Sequence, residues 1–168
     1  GLMDGSVSIH AVERFLGDLA IDRDWAFAHP ATETGRRVLV VGSGPSGLSA
    51  AYHLRRLGHS VVCRDNSPLA GGMMRYGIPS YRLPRRILDA EIRRLHDLGV
   101  VFEQDHTVAD LQAEMDAGGF DAAFVAVGAH LSKRVDIPNG DASRVLDAVS
   151  FLRDVEAGVA DPDLGRVA

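Results

Sequence analysis

The sequence is poor in the residues that redox and metal sites are usually built from. Among 168 residues there is one cysteine, Cys63. A single thiol cannot form an internal disulfide, and on its own it supports neither a four-cysteine zinc site nor an iron–sulfur cluster. A redox-active cysteine pair is excluded with it. The seven histidines, at positions 10, 29, 53, 59, 96, 106 and 130, show no metal-ligand spacing. No apolar run reaches the eighteen or so residues of a membrane span, and the start shows no basic and apolar leader. A cytoplasmic setting without a membrane partner is the expectation. The net charge of −5 argues against a nucleic-acid partner.

What the chain does have is 46% apolar and 24% charged residues, the balance of a globular domain. It also has 18 glycines, enough to prompt a search for tight turns and for backbone lying close to a ligand. Ser6 to Ile21 reads as an amphipathic helix with Ser6 or Ser8 as its cap. Residues 22–35 read as a linker in which Trp25 and Phe27 dock onto the rest of the chain. Val38 to Val41 is a continuous apolar run, as in a fully buried parallel strand. A helix over Ser46–Leu57 follows, closed by Gly58. Ser60–Cys63 is the second strand. Pro84–Leu98 is a helix ended by Gly99, with Pro84 in its first turn. Val100–Glu103 is the third strand, and Thr107 should cap a helix over Val108–Met115. Ala122–Val127 is the fourth strand, and Leu146–Val155 the last helix. Strands alternating with helices predict an α/β fold, a doubly wound parallel sheet covered on both faces, with a short N-terminal helical appendage.

Between the first strand and its helix stands Gly42-Ser43-Gly44-Pro45-Ser46-Gly47, a G-x-G-x-x-G turn. A pyrophosphate can lie against backbone N–H groups at a helix N-terminus only where side chains do not block it. Gly42 would allow the turn, Gly44 the close approach, and Gly47 close helix–strand packing. Asp65 ends the second strand at the distance where a ribose-binding acid belongs, with Asn66 after it. The plainer alternative is a glycine turn and an unrelated surface acid. A P-loop is excluded because Leu48 stands where its lysine should be, and Ser46, followed at once by Gly47, is not a nucleophile elbow. After Asp65 comes a connection of roughly twenty residues carrying Gly71-Gly72, a length that marks functional loops. A second glycine pair there favours FAD over a nicotinamide dinucleotide, though both use the same turn.

The segment from Val38 to Pro84, with VLVVGSGPSGLSAAYHLRRLGHSVVCRDNSPLAGGMMRYGIPSYRLP, resembles the FAD-binding segment of the glutamate synthase small-subunit family. Similar flavin domains occur in dihydropyrimidine dehydrogenase and bifurcating transhydrogenases. Residues 6–15 resemble the helix that ends the family's iron–sulfur domain. Val127-Gly128-Ala129 and Ile137-Pro138 resemble its return strand and following loop. The resemblance implies a Rossmann-like domain over 36–163. It makes 1–35 the tail of an iron–sulfur domain and 164–168 the start of a truncated nicotinamide domain. It implies that Gly42, Ser43, Gly44, Pro45, Ser46 and Gly47 hold the FAD pyrophosphate and that Asp65, with Asn66, binds the adenosine ribose. Gly71, Gly72 and Met73 would pass beside the flavin half, Arg82 would stand at the cofactor, Val108 would contact adenine, and Gly128 would lie near the pyrophosphate. Arg75 could face the cofactor or solvent.

The resemblance further implies that NAD(P)H and [4Fe–4S] clusters belong to a full-length parent and are not held by this stretch. The parent would pass electrons from NAD(P)H through FAD to an acceptor, with its remaining domains or a large catalytic subunit as partners. This stretch alone would be inactive, and no side chain in it reads as a general acid or base. Two alternatives stand beside it: a stand-alone nucleotide-binding module without catalysis, or an NAD(P)-binding Rossmann domain. His106 and His130, beside strand ends, could face a crevice or solvent. Cys63 reads as an inert core residue, and Arg36-Arg37 and Arg93-Arg94 as solvated flanks.

Overall fold

A computed structural model describes residues 7–30, 32–131, 138 and 145–159. Ser6, Ile137 and the segment 164–168 therefore lie outside the described residues. Four strands form one parallel sheet: β1 (Arg37–Val41), β2 (Ser60–Arg64), β3 (Val100–Glu103) and β4 (Ala122–Val125), in the order β3-β2-β1-β4. The helices are α1 (Ile9–Asp22), α2 (Pro45–Arg56), the one-turn α3 (Met73–Tyr76), α4 (Arg85–Asp97), α5 (Leu111–Gly118) and α6 (Ala148–Ala157). The strand order reverses direction between β1 and β4, which opens a crevice beyond the carboxyl ends of those two strands.

The apolar run of β1 has the burial that parallel sheets impose. Val38, Leu39, Val40 and Val41 are all buried, and side chains alternate between two cores. Val40 joins Val61, Cys63, Val100, Leu48, Ala51 and Leu95 beneath α2 and α4. Leu39 and Val41 join Val62 and Phe120 on the face covered by α5, where Met115 and Val108 pack. In register, Val40 stands opposite Cys63 on β2 and Phe124 on β4. Cys63 is fully buried, its Sγ 3.6 Å from the Gly42 carbonyl, and burial followed by the Asp65 charge pushes its thiol up to about 12. The thiolate that nucleophilic chemistry needs is therefore not formed near neutral pH.

The linker expectation divides in two. Phe27 packs on the core, with its ring 4.8 Å from that of Tyr52 and the Arg94 guanidinium 4.0 Å above it. Trp25 stays 48% exposed, although its carbonyl accepts from Arg94 Nε at 3.0 Å. Arg94 is thus a packed side chain and not a solvated flank. Arg36, Arg37 and Arg93 are exposed, as expected of solvated flanks, although Arg37 also lies over Phe120 at 4.7 Å and Arg36 pairs with Asp121 at 2.7 Å.

Most boundaries shift by one to three residues from the sequence reading, with α1 over Ile9–Asp22, α2 over Pro45–Arg56, β2 reaching Arg64 and α6 over Ala148–Ala157, and three further differences have a visible cause. The helix expected from Val108 begins at Leu111, because Asp110, not Thr107, supplies the cap: its Oδ1 accepts from the Ala113 N–H at 3.0 Å. Val108 instead turns inward onto the Leu39 core. Strand β4 ends at Val125 and not at Val127. The Ala126 N–H still donates to Val41, at 2.7 Å, but beyond it β1 turns away at Gly42. Pro84 sits at the N-cap of α4 rather than inside its first turn.

Candidate functional site

At the carboxyl ends of β1, β2 and β4 lies a cleft of about 630 Å³, within the ~300–1,000 Å³ typical of small-ligand sites. Gly42, Gly44, Pro45 and Ser46 form one wall, Asp65 and Asn66 a second, and Gly128 a third, with Gly72, Met73 and Val108 completing it. These are ten of the fourteen residues singled out from the sequence. Ser43 is fully buried behind the turn, and Gly47 is buried beneath it. Gly71 does not line the cleft but donates its N–H to the Ser43 carbonyl at 2.9 Å, which docks the second glycine pair onto the first turn. Arg82 is not brought to the cleft; its guanidinium lies 5.9 Å over the Tyr81 ring.

The glycines of the turn divide by what surrounds them. A Cβ on Gly47 would stand 1.8 Å from the Gly42 carbonyl oxygen, and one on Gly42 would stand 2.3 Å from the Ala126 oxygen, where φ is also +105°. Those two are glycine because the backbone passes there. A Cβ on Gly44 would meet only the Gly72 Cα, at 3.8 Å, and its backbone is extended, with φ −75°. Nothing in the fold itself demands glycine at that position.

Gly44 is also the N-cap of α2, and it offers no side chain to the first-turn N–H groups; Pro45 at the next position carries no N–H. The N–H groups of the first helical turn lack intrahelical acceptors, so they face the cleft as anion donors with the positive end of the helix dipole behind them.

Asp65 is held from two sides. Its Oδ2 accepts from the Ser43 N–H at 2.6 Å and from Ser43 Oγ at 2.8 Å, and its Oδ1 accepts from the Ser67 N–H at 2.8 Å. Burial works to raise its pKa, but the Ser43 and Ser67 donors outweigh it and hold the carboxyl below the ordinary value. A depressed carboxylate adds stability that is complete above the unfolded-state pKa of about 3.9 and is lost as pH falls through the folded value. Asp65→Asn should therefore flatten the acid limb of the stability curve below about pH 4 and cost roughly 1.5–3 kcal/mol near neutrality. Urea midpoints measured from pH 2 to 7 check this; an acid limb identical to the parent's would refute it.

The sequence reading missed the charged wall beside Asp65. Arg64, 13% exposed at its side chain, donates Nε to Glu103 at 2.7 Å and Nη1 to Glu114. Glu114 also meets His106 Nε2 at 3.1 Å. Arg64 and His106 both line the cleft, as does His130. The signal was a charged residue at each of positions 64, 103 and 114, which register alone aligns only for Arg64 and Glu103. Arg75 neither lines the cleft nor is solvated. It is 5% exposed, donates Nε to the Ala70 carbonyl at 2.7 Å and pairs with Asp89. Among the described residues no cluster of three or more potential ligands could hold a metal ion, and no helix is long and apolar enough to cross a membrane.

The strand–turn–helix–strand unit matches a family of NAD(P)-binding Rossmann-like domains over residues 40–103. The glutamate synthase [NADPH] small chain of Mycobacterium tuberculosis is 36% identical over 154 residues, covering 90% of this chain. The chain is homologous to one segment of the glutamate synthase small chains. It spans 32% of that relative's length. The beta subunit of an NADP(+)-dependent formate dehydrogenase from Moorella thermoacetica is 34% identical over 180 residues, covering 92% of this chain and 26% of that protein. Among solved structures, Mycobacterium tuberculosis FprA in complex with NADPH superposes with a TM-score of 0.61 at 26% identity, over 73% of this chain and 29% of FprA. These relatives of the small-chain segment are oxidoreductases, and the shared architecture is the Rossmann-like α/β sheet.

Proposed function

We propose that the cleft binds FAD, and that the chain is the flavin-binding segment of an NAD(P)H-dependent oxidoreductase resembling the glutamate synthase small subunit. The observation that carries this is Gly44. It is an open glycine at an uncapped helix N-terminus, facing a strand-end carboxylate across a cleft at the switch point of the sheet. The residues present suit a dinucleotide: free N–H groups for a pyrophosphate, Asp65 for ribose hydroxyls, and an apolar wall at Val108 for a base.

An adenosine diphosphate moiety is common to FAD and NAD(P), so this end of the cleft fits either. What favours FAD is the connection after β2. Gly71 ties that loop to Ser43, and Gly72 and Met73 extend the cleft past the turn. Bound flavin would supply hydride acceptance from a reduced nicotinamide and release of electrons to an acceptor. This chain's residues would bind and orient it. The nicotinamide site, any iron–sulfur clusters and a partner subunit would belong to other parts of the parent protein.

Reconstitution tests the reading. After incubation with FAD and desalting, the chain should retain a flavin absorbance band near stoichiometric amount or show saturable quenching of flavin fluorescence. Saturable NAD(H) binding with no response to FAD would overturn it in favour of a nicotinamide site.

A further inference from the structure

The α3 turn, which carries the cleft wall past the first glycine turn, cannot hold its own shape. It spans only Met73–Tyr76 and begins at Gly72, where φ is +51°. A single turn leaves its last carbonyls without intrahelical partners and is far too short to persist alone. One side chain takes those carbonyls. Arg85, the first residue of α4, donates Nη1 to the Met74 carbonyl at 3.2 Å and to the Leu83 carbonyl at 3.1 Å. Its Nη2 donates to the Arg75 and Ile78 carbonyls at 2.6 and 2.8 Å. The same guanidinium meets both carboxylate oxygens of Glu156 on α6, Nε to Oε1 and Nη2 to Oε2, each at 2.8 Å. The two side chains are 18% and 22% exposed, which shelters the pair from the solvent screening that weakens surface ion pairs. Arg153, also on α6, lies 5.6 Å over the Tyr76 ring and donates Nη2 to Nδ1 of His130, a cleft residue, at 3.2 Å.

We infer that Arg85 is a positioning residue for the flavin half of the cleft and that Glu156 fixes its guanidinium, so that α6 belongs to the site although none of its residues lines the cleft. This rests on the cleft holding FAD and goes beyond it. Arg85 does not line the cleft and acts through the α3 carbonyls, which set where Gly72 and Met73 stand. The adenosine end, with Gly44 and Asp65 beyond the ends of β1 and β2, receives no hydrogen bond from Arg85.

The test compares FAD with ADP-ribose, which shares its adenosine and pyrophosphate and lacks the flavin half; each is titrated calorimetrically into the purified chain. Arg85→Gln should weaken FAD at least about tenfold, because the flavin wall is no longer preorganised, and leave ADP-ribose within about threefold. Glu156→Gln leaves the carbonyl bonds of Arg85 in place, serves if Arg85→Gln does not fold, and should shift the FAD to ADP-ribose ratio the same way by about fivefold. Arg55→Gln is the structural control. Arg55 is 13% exposed, donates to the Leu98 and His59 carbonyls and pairs with Glu33, all at the amino ends of β2 and β3. Its loss should lower the melting temperature without moving the ratio. Parallel loss of both probes, an unchanged ratio in both cleft-side variants, or an equal shift in Arg55→Gln would overturn the positioning role while leaving the cleft intact. A wild-type chain that binds ADP-ribose but not FAD, or neither, would overturn the flavin reading, and the positioning role with it.

Discussion

Gly47→Ala should lower the melting temperature by roughly 10 °C or leave the chain without a cooperative transition. The added Cβ would lie 1.8 Å from the Gly42 oxygen, 2.9 Å from the Gly42 carbonyl carbon and 3.3 Å from Val40 Cγ1. Neither backbone neighbour can retreat. The Gly42 N–H donates to the Arg64 carbonyl at 2.8 Å, which ties the turn to β2, and Gly42 lies against Ala126 on its other side. Relief would require α2 to lift from β1, separating Leu48 and Ala51 from Val40 in the larger core. Overpacking of this kind costs about 1–3 kcal/mol, and more where the obstacle is backbone, against a total stability of about 5–15 kcal/mol. Gly17→Ala provides the internal control. It lies in α1 with nothing within 4 Å of the new methyl and an ordinary φ. It should stabilise the helix by roughly 0.5–1 kcal/mol. Thermal melts of the two variants should move in opposite directions; a Gly47→Ala melt matching the parent would refute the tight packing of α2 on β1.

That contrast shows where sequence was sufficient. The sheet was legible because a parallel strand buried on both faces has no choice of polarity: Val38–Val41 and Val61–Cys63 could not sit elsewhere. The turn was legible because spacing and context agree, with a strand before it, a helix after it and an acid one strand later. Capping was less so. Thr107 and Asp110 are both acceptable caps, and the decision fell to Val108, whose side chain is drawn into the Leu39 core and keeps residues 108–110 out of the helix. Arg75 was beyond reach for a different reason. Its partners, the Ala70 carbonyl and Asp89, come from a loop and the next helix, so only folding brings them together. The Arg64–Glu103–Glu114 wall has the same origin, since Glu114 arrives from α5 across 50 residues.

Gly44→Val should abolish flavin retention while leaving the fold almost undisturbed, and the two halves of that expectation come from the same geometry. On the protein side, a Cβ at Gly44 meets only the Gly72 Cα, at 3.8 Å, and the extended backbone suits a β-branched residue. Losing glycine at an N-cap costs helix α2 up to about 1 kcal/mol, so the melting temperature should fall by only a few degrees. On the ligand side, the methyls would project into the space before the α2 N–H groups, where a pyrophosphate must approach within about 3 Å to accept hydrogen bonds. Displacing it by the depth of a methyl group forfeits those charge-assisted bonds together, and an affinity loss of at least about 100-fold follows from two bonds of roughly 1.5–3 kcal/mol each. Flavin fluorescence titration against a thermal melt of the same sample separates the effects. Unchanged flavin affinity would place the cofactor away from the turn. A collapsed melt would show that Gly44 belongs with Gly42 and Gly47 as a residue the backbone itself requires. Retained fold with lost flavin is the outcome in which the ligand, rather than the packing, explains why this one position is glycine.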